Sequence, residues 1–469
     1  MRPLALVLLA AVACGAATIR DEPYRPQFHF SPERNWTNDP CGLIYSKGEY
    51  HLFFQFNPEG DQWGHMTWGH AVSPDSVHWN EVSPAIPEAN GVMIFTGSSV
   101  QDGKRIASIY TGHRGPQGGQ PGRQNQNLAF SEDGRTWTKF EGNPVLDIGE
   151  EDFRDPKVFW HEPTRRWVMV VMLPKQYKAQ FYASSDLKKW THLSDFGPEG
   201  ATTGIWECPD FYEVPVDGNR KNTRWVLKIG INPGHVSGGS GEQYFVGRFD
   251  GTRFVNDNPK DTILWTDYGR DCYCEFSFAN APRDRAPVAV GWMSNWQYAG
   301  KTPTAPWRGQ FTIPRRLSLE TTPSGIRLVQ TPAAALASLR GPRTSKLSDL
   351  KDAYEIALTA DAGKRFSMSL PGGELIYEPA SRQISFDRTR GNVDVDARFP
   401  SRTAAQLDIA AGQPLTLRIF VDRSSVEVFA DGGRVTMTNL VYPTEAHAPA
   451  LTSGAAVKVE AWALRSIWR

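Results

Sequence analysis

Short stretches of alternating apolar and polar residues dominate the chain. Tyr50 to Phe56, Ile106 to Tyr110 and Trp167 to Met172 each predict a strand. Each is followed by the same signature, Ser-x-Asp-x-x-x-Trp. It reads Ser73, Asp75, Trp79, then Ser131, Asp133, Trp137, then Ser184, Asp186, Trp190, at near-equal intervals. Phe249-Asp250-Gly251-Thr252 before Phe254 is a worn fourth copy. A recurring unit of short strands predicts a β-propeller, and residues 25–325 have room for about five blades. Beyond Arg316 the texture changes. Residues 332–342 read as one short helix or a linker closed by Pro342, within a connecting stretch of 326–345. From Tyr354 alternation resumes, through Leu415, Leu417, Ile419 and Val421 and then Val426 and Val428. Asp431-Gly432-Gly433 signals a hairpin turn. Residues 346–469 therefore predict a second all-β unit, a β-sandwich. The fold class expected is all-β: a five-bladed β-propeller followed by a C-terminal β-sandwich.

Composition narrows the function. The 469 residues suffice for two or three domains. The 51 Lys plus Arg balance 51 Asp plus Glu. With no basic stripe and no run of like charge, nothing points to nucleic acid or a disordered tail. The 16 Trp, 42 Gly and 34 Pro suit short strands, many turns and indole rings for stacking on sugar faces. Arg2, the apolar run Leu4 to Ala13 and the small residues to Ala17 make 1–17 an expected export signal. That run is too short for a membrane anchor. Cys14 also fits a bacterial lipid-attachment cysteine, although Ala11 is a weak residue three places before it. Elsewhere no segment is apolar enough to span a membrane. Cys41, Cys208, Cys272 and Cys274 are too few for a disulfide-dense scaffold.

Three stretches set an acid in an unusual place. In Asn38-Asp39-Pro40-Cys41-Gly42, Pro40 pushes Asp39 out of the helical region and Gly42 permits a sharp turn or a close approach by ligand. Alone, this stretch also reads as a surface turn. In Phe153-Arg154-Asp155-Pro156 an acid again precedes proline, beside an arginine that would favour its ionised form. In Trp206-Glu207-Cys208-Pro209-Asp210 an acid lies between an indole and a thiol. Burial among apolar groups favours the protonated carboxyl, which suits a proton donor. The inner strands of a propeller converge on a central funnel, so distant residues can meet there. Two carboxylates in unlike settings are the machinery of glycoside hydrolysis.

These stretches resemble glycoside hydrolase family 32, the invertase, inulinase and levanase family, from about residue 25 to the end. Further matching segments are Trp63-Gly64-His65-Met66, Phe95-Thr96-Gly97-Ser98, Trp292-Met293-Ser294-Asn295-Trp296 and Ser424 to Phe429. The wording around Gln124 to Asn127 and Trp292 to Gly300 is similar to exo-acting inulinases and levanases. The resemblance implies a propeller followed by a sandwich, and a retaining β-fructofuranosidase acting on sucrose or fructans, with no cofactor. It implies Asp39 as nucleophile, Glu207 as general acid and then base, and Asp155 as transition-state stabiliser. Asn38, Gln55, Trp63, Phe95, Thr96, Arg154 and Trp296 would shape the fructose pocket, with Asp267 near the same rim.

Departures and discounted features complete the reading. The family's second Asn is Cys41 here, and Cys272 and Cys274 stand where aromatic or small residues are usual. Cys41 is expected to be a small apolar filler, with a disulfide to Cys208, Cys272 or Cys274 as the alternative. Cys272-x-Cys274 would put two thiols on one strand face, as free thiols or one disulfide rather than a zinc site. His65 and His70 are expected to pack rather than bind metal. The Asn35-Trp36-Thr37 sequon is expected to be unused so close to Asp39. Two other functions compete: a fructosyltransferase using the same intermediate, and an inactive sugar-binding propeller.

Overall fold

The computed structural model describes residues 20–119, 121–281, 286–409, 413–453 and 457–468. The expected export signal at 1–17, with Cys14, lies outside these residues. The described chain is all-β, a five-bladed propeller followed by a sandwich. The first blade holds Asn35–Ser46, Glu49–Asn57, Thr67–Ser73 and Asn80–Ile86, antiparallel in that order. The second blade begins at Met93–Asp102, the third at Arg154–His161 and the fourth at Ile205–Val216. The fifth runs through Tyr273–Ser277, Val288–Trp292, Arg315–Thr322 and Gly325–Pro332. The first strands of successive blades touch one another in a closed ring, so they line the central funnel.

The repeat has a local physical cause. Asp75, Asp133 and Asp186 each accept hydrogen bonds from the backbone N–H groups two and three residues on, at 2.7–3.0 Å. Asp250 does the same for Thr252 and Arg253, at 2.7 Å each. The carboxylate thus closes the turn between the third and fourth strand of each of four blades. Alternation along the strands themselves is weaker than it looked. Adjacent blades pack face to face, so both faces are buried: Phe53 meets Trp137 of blade two edge to face, while Phe54 packs on its other side against Phe30 and Phe311. Such a blade strand reads as a nearly continuous apolar run.

The expected connecting stretch at 326–345 is instead structured. Gly325–Pro332 pairs with Arg315–Thr322 as the outer strand of blade five. The one short helix read within 332–342 is present as a 3-10 turn at Ala334–Leu339, and Arg340–Thr344 pairs with Lys458–Leu464 in the sandwich. A short alternating strand next to an alanine-rich turn offers little to tell it from a linker.

The sandwich packs a six-stranded sheet on a five-stranded one. Leu415, Leu417, Ile419, Val421, Val426 and Val428 are all buried between them. Asp431-Gly432-Gly433 does turn Ser425–Ala430 into Val435–Leu440. A buried ionic seam joins the two units. Arg315 of blade five donates to Asp267 at 3.1 Å and to Glu427 of the sandwich at 2.5 Å. His29, before the first blade, lies between Asp422 and Glu427, 2.8 Å from each.

Candidate active site

Each of the five innermost strands carries the same irregularity at the same level of the funnel. Thr37 to Pro40 spans three residues where its partner spans two, Phe56 to Phe54. The same three-against-two mismatch occurs at Ile94–Gly97, Arg154–Lys157, Glu207–Asp210 and Tyr273–Phe276. An extra residue re-aims the side chains beside it and ends regular pairing. Here the five bulges hold Asn38 and Asp39, Phe95 and Thr96, Asp155, Cys208 and Cys274. Asp155, Cys208 and Cys274 take positive φ of 66°, 49° and 47°, a conformation uncommon outside glycine. At Gly42 the close approach is made by the Trp68 side chain rather than by a ligand. Gly42 has φ +58°, and a Cβ there would lie 2.6 Å from the Trp68 ring.

Asp39 is buried on this floor. Its Oδ2 accepts from the Thr96 hydroxyl at 2.8 Å, and its Oδ1 has no partner among the described residues. Burial, reinforced by the nearby Glu207 charge, pushes its pKa up to about 6, against the Asn38 amide and the Thr96 hydroxyl. An ionised Asp39 therefore offers, at Oδ1, an oxygen without a close hydrogen-bond partner among the described residues.

Glu207 is held from two sides. The Arg154 guanidinium donates to Oε1 from Nε at 3.1 Å and Nη2 at 2.7 Å. The Tyr273 hydroxyl donates to Oε2 at 2.5 Å. Burial and the Glu207 carboxylate hold the Tyr273 phenol well above its ordinary range, so it keeps its proton. A phenol can both donate and accept, so this pairing survives both protonation states of Glu207. The apolar setting read from Trp206 and Cys208 does not surround this carboxyl. The Trp206 indole lies on the other face of the strand, in an apolar cluster, donating to the Ala201 carbonyl at 2.8 Å. Neighbours in sequence point to opposite faces of a strand.

Asp155 also departs from expectation. Arg154 is committed to Glu207 and to Asp152 at 3.0 Å, and stands 3.9 Å from Asp155. Burial outweighs the arginine, and with the Glu207 and Asp39 charges it pushes Asp155 up to about 7. Its Oδ2 accepts the Cys208 N–H at 2.9 Å, and its own N–H donates to the Thr111 hydroxyl at 2.9 Å.

The other sequence candidates fall into contact with these. Asn38 accepts from the Trp36 indole at 2.8 Å, and Trp36 stacks on Trp296 at 6.0 Å. Gln55 donates to the Ile94 carbonyl at 3.0 Å, beside the bulge of blade two. Trp63, 45% exposed, meets Phe95 edge to face at 6.0 Å. This gives an exposed aromatic wall above a polar, buried floor. Asp267 does not belong to it: both of its oxygens are taken by Arg315, Gly269 and Thr438 at the seam between the two units.

Cys208 is disulfide-bonded to Cys274, while Cys41 and Cys272 are free and buried. Cys41 packs with Phe53 and Trp68 as an apolar filler. Cys208, Cys274 and Asp39 lie within 4.8 Å of one another, but sulfurs bonded to each other offer a metal no thiolate. His70 stacks on His51 and Phe53, whereas His65 lies at the surface between Glu59 and Glu88. The sequon's Thr37 is buried, its hydroxyl donating to the Gln55 carbonyl at 2.9 Å. Sequence reasoning missed Tyr273, Thr111 and Gln124, the last accepting from Arg154 at 3.2 Å. An aromatic between two cysteines was the available signal for Tyr273.

The chain matches the profile of the glycosyl hydrolases family 32 N-terminal domain over residues 29–332 and that of the C-terminal domain over 328–463. It is 44% identical to a levanase of Bacillus subtilis (strain 168), over 93% of this chain and 69% of that one. It is 37% identical to an extracellular exo-inulinase of Aspergillus ficuum, over 99% of this chain and all of that one (100%). Among solved structures, an exo-inulinase from Aspergillus awamori superposes with a TM-score of 0.88 at 36% identity, covering 96% of this chain and 99% of that one. A β-fructofuranosidase from Schwanniomyces occidentalis, complexed with fructosyl-erythritol, gives 0.84 at 31%, covering 95% and 98%. The bulged funnel, its three carboxylates and these matches together make the chain a member of glycoside hydrolase family 32.

Proposed function

We propose that the protein is an exported, retaining β-fructofuranosidase that releases terminal fructose from sucrose or fructans such as inulin and levan. The observation that carries this is the pairing of unlike carboxylates. Asp39 keeps one oxygen free on the pocket floor, while Glu207 is gripped by Arg154 and Tyr273. In the reaction Asp39 attacks the anomeric carbon as Glu207 gives its proton to the leaving oxygen. Glu207 then takes a proton from water, which cleaves the fructosyl–Asp39 ester. Asp155 hydrogen-bonds sugar hydroxyls, and the Trp63–Phe95 wall covers the apolar sugar face. Similarity to extracellular exo-inulinases supports export and exo action. Among the described residues no helix is long and apolar enough to cross a membrane.

Incubation with sucrose, inulin and levan, with products resolved over time, tests the reading. Free fructose, with no ladder of intermediate oligosaccharides from the polymers, is expected. Longer oligomers would make the protein a fructosyltransferase, and no product would make it a binding module.

A further inference from the structure

Three features surround the Cys208–Cys274 bond. It joins the residue after Glu207 to the residue after Tyr273, and those two side chains are themselves hydrogen-bonded. It ties the innermost strands of blades four and five, which are not ladder partners: two strands of blade five lie between them in the sheet. Both half-cystines are buried and sit in bulges at positive φ, 49° and 47°. Left-handed backbone at a residue other than glycine persists only where its surroundings hold it.

The same bond reaches the other two carboxylates. The Cys208 N–H donates to Asp155 at 2.9 Å, and Cys208 Sγ lies 3.7 Å from Asp39 Oδ2. That sulfur carries no proton, so the contact is not a hydrogen bond, and Thr96 is the hydroxyl donor on that oxygen.

We propose that the Cys208–Cys274 disulfide is a positioning element for turnover. It fixes the Tyr273–Glu207 pair and keeps a proton-free sulfur against the nucleophile, so activity depends on its oxidised state. The proposal rests on the function given above. Reduction by a dithiol breaks the S–S bond. The dithiol supplies two electrons and two protons, one proton to each sulfur, and closes to its own disulfide. The two bulges are then untied, and Cys208 gains an S–H that can donate weakly to Asp39 Oδ2. A new donor to the carboxylate favours its ionised form. The titratable and charged groups acting on Asp39 are Glu207, Asp155, Tyr273 and Cys41, with Arg154 acting through Glu207 and Asp155.

Two variants separate the two effects. Cys274→Ala leaves a thiol at 208 without the tie, and Cys208→Ala/Cys274→Ala has neither. Both are expected to lose about tenfold or more in kcat on sucrose with KM within about twofold, as misplacement of reacting groups by about 1 Å does. The acid limb of kcat/KM should move to lower pH in Cys274→Ala alone. Unchanged kcat in both folded variants, or a loss carried entirely by KM, would overturn the proposal. Should either variant fail to fold, native wild-type enzyme treated with dithiothreitol, with new thiols trapped and located by mass spectrometry, gives the same comparison. Loss of kcat tracking reduction, and recovery on reoxidation by glutathione disulfide, is expected. Full activity with both thiols trapped would overturn it. So would free thiols at Cys208 and Cys274 in the active, unreduced enzyme. Wild-type enzyme that turns over no fructoside would instead refute the function itself.

Discussion

Arg154 and Glu207 form a forked ion pair, with two N–H groups of the guanidinium on a single carboxylate oxygen at 3.1 and 2.7 Å. The pair leaves Oε2 to Tyr273 and, under the proposed mechanism, to the leaving oxygen. It also sets a negative charge near Asp39, one of the causes of that group's raised pKa.

Glu207→Gln should therefore do two things. Turnover of sucrose should fall by about 10²–10⁴, the worth of a positioned general acid, with a much smaller loss on a fructoside carrying a good leaving group. On that second substrate the acid limb, expected near pH 6 in the wild type if Asp39 sets it, should move to lower pH because the like charge is gone. Equal losses on both substrates, or a limb that stays put, would show that Glu207 has another role.

Asp155→Asn should trade activity for stability. Its carboxyl is pushed from 3.8 to about 7, chiefly by burial. The folded state thus favours the protonated form, and that contribution is fully present below 3.8 and lost as pH rises through about 7. Asparagine resembles the protonated acid at every pH and can still accept the Cys208 N–H. Melting curves should show the variant gaining on wild type between pH 5 and 8, by roughly 2 °C or more at the upper end. A variant less stable than wild type at pH 8 would contradict this.

His29 makes the opposite use of a buried charge. Burial alone would lower its pKa, but Asp422 and Glu427 outweigh it and push it from 6.5 up to about 9. The stabilisation is complete below 6.5 and lost as pH rises through about 9. The melting difference between wild type and His29→Gln should be large at pH 6 and shrink steadily towards pH 9.5. A difference independent of pH would mean that His29 acts through packing alone.

The bulged floor of the funnel was legible where backbone chemistry constrained it. Asp39 before Pro40 with Gly42 close behind, and Asp155 before Pro156, advertise irregular strands, and the Ser-x-Asp turns advertised the blades. What could not be read was direction. Strand alternation turns Glu207 towards Arg154 and Tyr273 while Trp206 faces away, and the composition of the segment does not say which of the two faces the funnel. Asp267 looked like a pocket residue because its partners, Arg315 and Thr438, lie 48 and 171 positions away. The Cys208–Cys274 pairing was not foreseen: the disulfide weighed ran from Cys41 to another cysteine or involved the Cys272-x-Cys274 pair, and nothing local in the sequence brings Cys208 to a cysteine 66 positions away.

The most direct test of Asp39 as nucleophile is to trap its ester. In Glu207→Gln an activated fructoside should still load the enzyme, while the water step, deprived of its base, should be slow. Peptide mass spectrometry after rapid acid quench should then find one anhydrohexose unit on the peptide containing Asp39, absent in Asp39→Ala/Glu207→Gln. A fructosyl group on any other residue, or wild-type turnover that inverts the anomeric configuration, would contradict the account.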